Sequence, residues 1–115
     1  MDFKKLEAAG VDYCGALQRL MGNEALYTKF LRKFMEDDHA QGAKEAFEKM
    51  DYEEVFSQVH ALKGLSGTLG LNTIYEEAHK IICMIRTDDM EQMDVHINKL
   101  LEEEEKLFAV IQEIL

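Results

Sequence analysis

The chain has 115 residues, 47% of them hydrophobic, and a formal net charge of -10. This is the size of one domain, 1–115, with enough apolar content for its own core and too much for a disordered chain. Of the 23 acidic residues, 14 lie at or after Asp51, against 5 of the 13 bases; nucleic acid and acidic membrane surfaces, which need clustered positive charge, are therefore excluded as partners.

No run approaches ~18 apolar residues, so no membrane span is expected. MDFKKLEAAG has no apolar h-region, so neither is a signal peptide. Cys14 and Cys83 are isolated and lack CxxC spacing; they read as reduced, partly buried thiols. A cytoplasmic monomer without cofactor is the expectation.

Proline is absent and apolar residues recur at helical spacing almost throughout. Residues 2–9 and 12–20 predict two short helices separated by Gly10. Gly22 ends that region, and Asn23 is placed to cap a long helix to about Met50, with Leu26, Phe30, Phe34, Ala43 and Phe47 as its stripe and Gly42 as a possible bend. Asp51-x-x-Glu54 has the form of a capping box opening a helix that Gly70 stops after Leu69. Asn72 or Thr73 opens the next helix, with Thr73-x-x-Glu76 as a second box and Ile74, Ala78, Ile81, Ile82 and Ile85 as its stripe. Asp88-x-x-Glu91 opens the last helix, striped by Met93, Ile97, Leu100, Leu107, Phe108 and Ile111. Glu104 falls inside that stripe without an evident reason. The predicted fold is all-α: an antiparallel four-helix bundle, up-down-up-down, over about 23–115, with short capping helices in about 1–21.

On a wheel of ~100° per residue with Tyr52 at zero, Val55, Val59, Leu62, Leu65, Ser66 and Leu69 fall between roughly 220° and 340°, the core arc. Gln58 is its one awkward member. His60 lies about 150° from the centre of that arc, with Phe56, Lys63, Gly64 and Gly67 near it on the outer face. A mid-helix glycine costs ~1 kcal/mol relative to alanine, so two on one face call for a purpose. Without side chains at i+4 and i+7 the imidazole stands clear and another protein's backbone can approach. Phe56 offers that partner an apolar foothold, and Lys63 at i+3 can reach the imidazole edge. Neutral imidazole is a nucleophile near pH 7, and a dianionic phosphoryl group on it would need a nearby cation. Periodicity alone equally allows a surface histidine beside glycines that mark a kink or close packing.

The segment His60-Ala61-Leu62-Lys63-Gly64-Leu65-Ser66-Gly67-Thr68-Leu69-Gly70 resembles the signature H-x-x-K-G-x-[SA]-x-x-x-G of histidine-containing phosphotransfer (HPt) domains; His60, Lys63, Gly64, Ser66 and Gly70 match every fixed position. The resemblance implies a phosphoryl carrier rather than an enzyme. His60 would be phosphorylated on Nε2, Lys63 would stabilise the phosphate, and Gly64 would clear space, with Phe56 and Gly67 completing the docking face. The implied partners are a histidine kinase and receiver domains, whose aspartate exchanges the group and which supply the Mg²⁺. Ile74 and the His79-Lys80-Ile81-Ile82 ending depart mildly from the family pattern, away from the site. No kinase, dimerisation or receiver segment follows, so a free-standing carrier is expected.

Three other readings compete. Glu36-x-x-His39 and Glu76-x-x-His79 match the Glu-x-x-His element of di-metal bundles, but both pairs face away from their stripes, so no metal site is expected. A bundle that only binds proteins would be marked by loss of the histidine, and His60 is present. His79 and Cys83 at i, i+4 could form a nucleophile pair, but the surrounding isoleucines make Cys83 read as buried. His96 reads as structural or solvated.

Overall fold

The computed structural model describes residues 2–115, and every regular element among them is helical: α1 (Lys4–Ala8), α2 (Tyr13–Arg19), α3 (Glu24–Asp37), α4 (His39–Glu48), α5 (Tyr52–Leu69), α6 (Asn72–Arg86) and α7 (Met93–Ile114). Helices α4, α5, α6 and α7 pack in a ring, each against the next and α7 back against α4, while α3 lies against α5. The short α1 and α2 dock on α7 and on α5 and α3 respectively. The bundle is therefore four-sided, with α3 and α4 together supplying one side.

Local chemistry explains most of the boundaries. The side chains of Asp12, Asn23 and Asp51 accept from the backbone N–H groups of Gly15, Leu26 and Glu54, at 3.1, 3.0 and 3.2 Å. Each satisfies a donor that the first helical turn leaves orphaned. Gly70 ends α5 at φ 77°, and its carbonyl accepts from the Asp12 N–H at 3.0 Å. A Cβ on Gly70 would collide with the Asp12 carbonyl, so glycine serves here both for the left-handed turn and for the close approach of the N-terminal helices.

The core runs through all sides. Leu31, Phe34, Ala43, Val55, Val59, Leu62, Ile74, Ile81, Met93, Ile97, Leu100 and Ile111 are fully or almost fully buried. Phe3, Tyr13 and Tyr27 cluster beneath the N-terminal helices, with Phe3 and Tyr13 stacked at 4.1 Å. The Tyr27 hydroxyl donates to the Leu69 carbonyl at 2.7 Å, which ties α3 to the last turn of α5. On α6, buried Glu77 accepts from Nδ1 of His96 on α7 at 2.8 Å, so His96 is structural.

Four expectations from the sequence are corrected. The helix expected over 23–50 does not bend at Gly42; it breaks at Asp38, which adopts φ 43°, ψ 56°. Aspartate tolerates that conformation because its short polar side chain finds local partners, and here it caps α4 by accepting from Gln41 N–H at 3.4 Å. The buried stripe of α3 is Tyr27, Leu31 and Phe34, with Leu26 and Phe30 only half-buried. Neither the Thr73 nor the Asp88 box forms: α6 starts after Leu71 without a side-chain cap, and α7 starts at Met93 after Asp88 has turned to φ 57°. Leu71 and Met93 are themselves buried, so packing sets those two starts. Finally, Cys14 and Cys83 are exposed.

Two oddities of the sequence are explained together. Gln58 accepts from His39 Nδ1 at 2.7 Å and donates to Glu54 at 2.9 Å. A Cβ on Gly42 would lie 2.8 Å from the Gln58 side chain. Gly42 is thus the space into which Gln58 folds between α4 and α5, and His39 is half-buried there rather than solvated.

Candidate functional site

Helix α5 buries Val55, Val59, Leu62, Ser66 and Leu69 and presents His60 to solvent. The 3.6-residue period makes these two facts one: positions 55, 59, 62, 66 and 69 share a face, and position 60 lies across the helix from it. Ser66 is fully buried and its hydroxyl donates to the Lys63 carbonyl at 3.1 Å, which satisfies it inside the core.

The His60 ring lies nearly parallel to Phe56, with centroids 5.7 Å apart and planes at 19°. Stacking occupies a face of the imidazole and leaves its nitrogens at the edge. The guanidinium of Arg86, at the end of α6, sits 5.7 Å over the same Phe56 ring, a cation–π contact. On this flank Tyr52, Glu53, Phe56 and Ile85 line an open apolar groove.

On the other flank a concavity of about 520 Å³ is lined by Arg19, Leu20, His60, Lys63, Gly64, Gly67, Thr68 and Tyr75. Nothing lies within 4 Å of where a Gly64 Cβ would be; the space beside that glycine is open. Gly67 differs: its Cβ would meet the Tyr75 ring at 3.3 Å. Gly67 thus makes room for the chain's own Tyr75 as well as widening the concavity.

Lys63 does not rest on His60. Its ammonium lies 3.1 Å from Nδ1 of His79 and 5.5 Å over the Tyr75 ring. An ammonium only donates, so His79 Nδ1 is the acceptor in this contact, and the other ring nitrogen, Nε2, lies 3.6 Å from Cys83 Sγ. Helix α6 thereby holds the lysine at the concavity while leaving its long stem free to turn.

The sequence model of the Hpt domain matches residues 25–112, most of the chain. The chain belongs to the Hpt domain family. No curated protein and no solved structure is significantly similar to it. Hpt domains take part in phosphorelays through histidine phosphotransfer, and the all-helical architecture agrees with that family's bundle.

Within this Hpt domain, His60, Phe56, Lys63, Gly64 and Gly67 come together on one outer face of α5, as the wheel placed them. Glu36 and Glu76 are exposed, as is His79, and among the described residues no group of three or more His, Cys, Asp or Glu side chains is arranged to hold a metal ion. No described helix is long and apolar enough to cross a membrane. Sequence reasoning missed three neighbours of the face. Tyr75 and Arg86 come from α6, and Arg19 comes from α2, where its Nη2 donates to the Gly67 carbonyl at 2.8 Å. The periodicity of α5 carries no trace of residues on other helices. The only available signal was that Arg19 ends a short helix whose docking place the sequence does not reveal.

Proposed function

We propose that this chain is a phosphorelay carrier that accepts a phosphoryl group on His60 and exchanges it with the aspartate of receiver domains. The observation that carries the reading is an exposed histidine on a bundle helix with open space at i+4. Transfer from a receiver begins with the Nε2 lone pair of neutral His60 in line with the phosphorus. The P–N bond forms as the P–O bond of the aspartyl phosphate breaks, the electron pair leaves on the carboxylate, and the Nδ1 proton goes to solvent. In-line alignment requires both proteins to close on the phosphorus, which is what the exposed imidazole and the open side of Gly64 permit. The receiver supplies the Mg²⁺. Lys63, released from His79, places its ammonium against the phosphate dianion, and Phe56 gives the receiver an apolar seat. A histidine kinase upstream, a monomeric state and a cytoplasmic location complete the proposal. The chain itself carries the group without catalysing an independent reaction.

The direct test is incubation with a phosphorylated receiver domain, followed by intact mass under alkaline conditions that preserve phosphohistidine. A mass increase of one phosphoryl group, removed by mild acid, is the expected result. An unmodified chain against a panel of charged receivers would favour a module that only binds.

Gly64→Leu separates clearance from packing. A Cβ at position 64 meets nothing within 4 Å, so the substitution starts into open space, and loss of a mid-helix glycine should leave stability unchanged or raise it by up to ~1 kcal/mol. Transfer from a receiver should slow markedly, and phosphorylation by the small donor phosphoramidate should slow less. A lower melting temperature with normal transfer would refute the clearance argument.

A further inference from the structure

The concavity beside His60 has a lining that the net charge of -10 does not foreshadow: it contains Arg19 and Lys63 and no carboxylate. Arg86 adds a third cation on the Phe56 side. The concavity beside the histidine of an acidic protein is thus basic in its lining, and Glu53 lines the apolar groove on the Phe56 side.

Arg19 is the member of this set that does not come from the phosphorylation helix or its neighbour α6. It ends α2, outside the residues 25–112 that the family model matches. Its position is built rather than incidental. The Asp12 N–H bond to the Gly70 carbonyl anchors the start of α2 against the end of α5. The guanidinium then meets the Gly67 carbonyl at 2.8 Å. One N–H is spent on that bond, and a guanidinium has five in a planar fork. The remaining donors stay at an exposed rim with no carboxylate lining it.

Gly67 is seven residues beyond His60, about 10 Å along the helix axis at 1.5 Å per residue. The histidine side chain leans toward the helix N-terminus, away from Gly67. Arg19 is therefore poorly placed for a phosphoryl group on His60 and well placed for a protein docked over the concavity. The basic lining of the concavity, which holds no carboxylate of its own, complements an acidic docking face on the receiver.

We propose that Arg19 is a partner-specificity residue, its guanidinium anchored on the Gly67 carbonyl and offered to a carboxylate on the docking face of the receiver. This rests on the phosphocarrier reading and adds to it a determinant that lies outside the residues the family model matches. Charges at an interface rim act mainly on the rate of association and on its salt dependence.

The test uses a phosphorylated receiver domain that transfers to the wild-type chain, with phosphoramidate as the small donor for comparison. Arg19→Glu should lower the ratio of receiver transfer rate to phosphoramidate rate about tenfold at low salt, the lower end of electrostatic steering effects. The wild-type receiver rate should fall as salt rises, and the variant's should fall less. Arg19→Lys keeps the charge without the fork and should stay within about twofold of wild type. An unchanged ratio in Arg19→Glu overturns the proposal. So does an equal loss in Arg19→Lys and Arg19→Glu, which would make Arg19 a tie between α2 and α5 and nothing more. Failure of phosphoramidate to label His60 in the wild-type chain would instead overturn the phosphocarrier reading.

Discussion

His60→Gln is expected to abolish phosphoryl acceptance and leave the bundle folded. His60 is exposed on a helix whose buried face lies opposite, and glutamine is at least as good a helix former. The ring's contact with Phe56 is a surface stack, so its loss should cost well under ~1 kcal/mol. Glutamine cannot form a P–N bond of comparable reactivity, because its amide nitrogen lone pair is delocalised. The other histidines provide the control. Glutamine at His39, His79 or His96 should leave acceptance in place, and at His96 any effect should appear in stability, through Glu77. Intact mass after exposure to a charged receiver and a thermal melt of each variant check both halves. Acid-labile phosphate on the His60→Gln chain would move the site elsewhere.

Glu104→Gln is expected to stabilise the protein by about 3 kcal/mol at pH 7, with the gain vanishing near pH 4. Glu104 is buried on α7, and its Oε1 has no hydrogen-bond partner among the described residues. Burial, reinforced by a hydrogen bond to Asp38 and by that residue's charge, pushes its carboxyl from 4.5 up to about 9. The acid therefore stays protonated in the fold and donates to Asp38, the residue at which α3 and α4 part. A raised carboxyl pKa means the folded chain holds a proton that the unfolded chain releases above pH 4.5. The stabilisation is complete below that value and is lost as pH rises toward about 9. At ~1.4 kcal/mol per pH unit above the ordinary value, the loss at pH 7 is about 3 kcal/mol. Glutamine stays neutral throughout, keeps an N–H for Asp38, and matches the shape. Denaturant melts from pH 4 to pH 9 on both proteins give the difference directly, since other titrating groups cancel. A difference that is flat across this range would sink the assignment.

Gly42 and Gln58 show how the sequence can signal a feature without explaining it. A glycine inside a predicted helix and a glutamine inside a predicted core arc are each anomalous alone. The structure makes them complementary, a side chain and the gap that receives it. Glu104 is a third such signal, a carboxylate in an apolar stripe whose partner Asp38 is 66 residues earlier.

What could be read from the sequence by itself is what depends on neighbours along the chain. Helical periodicity placed α5 and set His60 opposite its core face. Asn23 and Asp51 announced their helix starts because a cap acts over three residues, and Gly70 announced a stop because left-handed backbone favours glycine. The five fixed positions from His60 to Gly70 carried the family resemblance, since they lie on one helix and its end. Packing decided the rest. The break at Asp38 falls where helical spacing continues unbroken, and it exists because a left-handed aspartate can cap α4 and accept a hydrogen bond from Glu104. The starts of α6 and α7 follow buried Leu71 and Met93 rather than the boxes written at Thr73 and Asp88. The ammonium of Lys63 rests on His79, and Arg19 reaches the histidine face from another helix. Contacts between residues far apart in the chain depend on how the helices dock, and periodicity along one helix holds no record of what lies across from it.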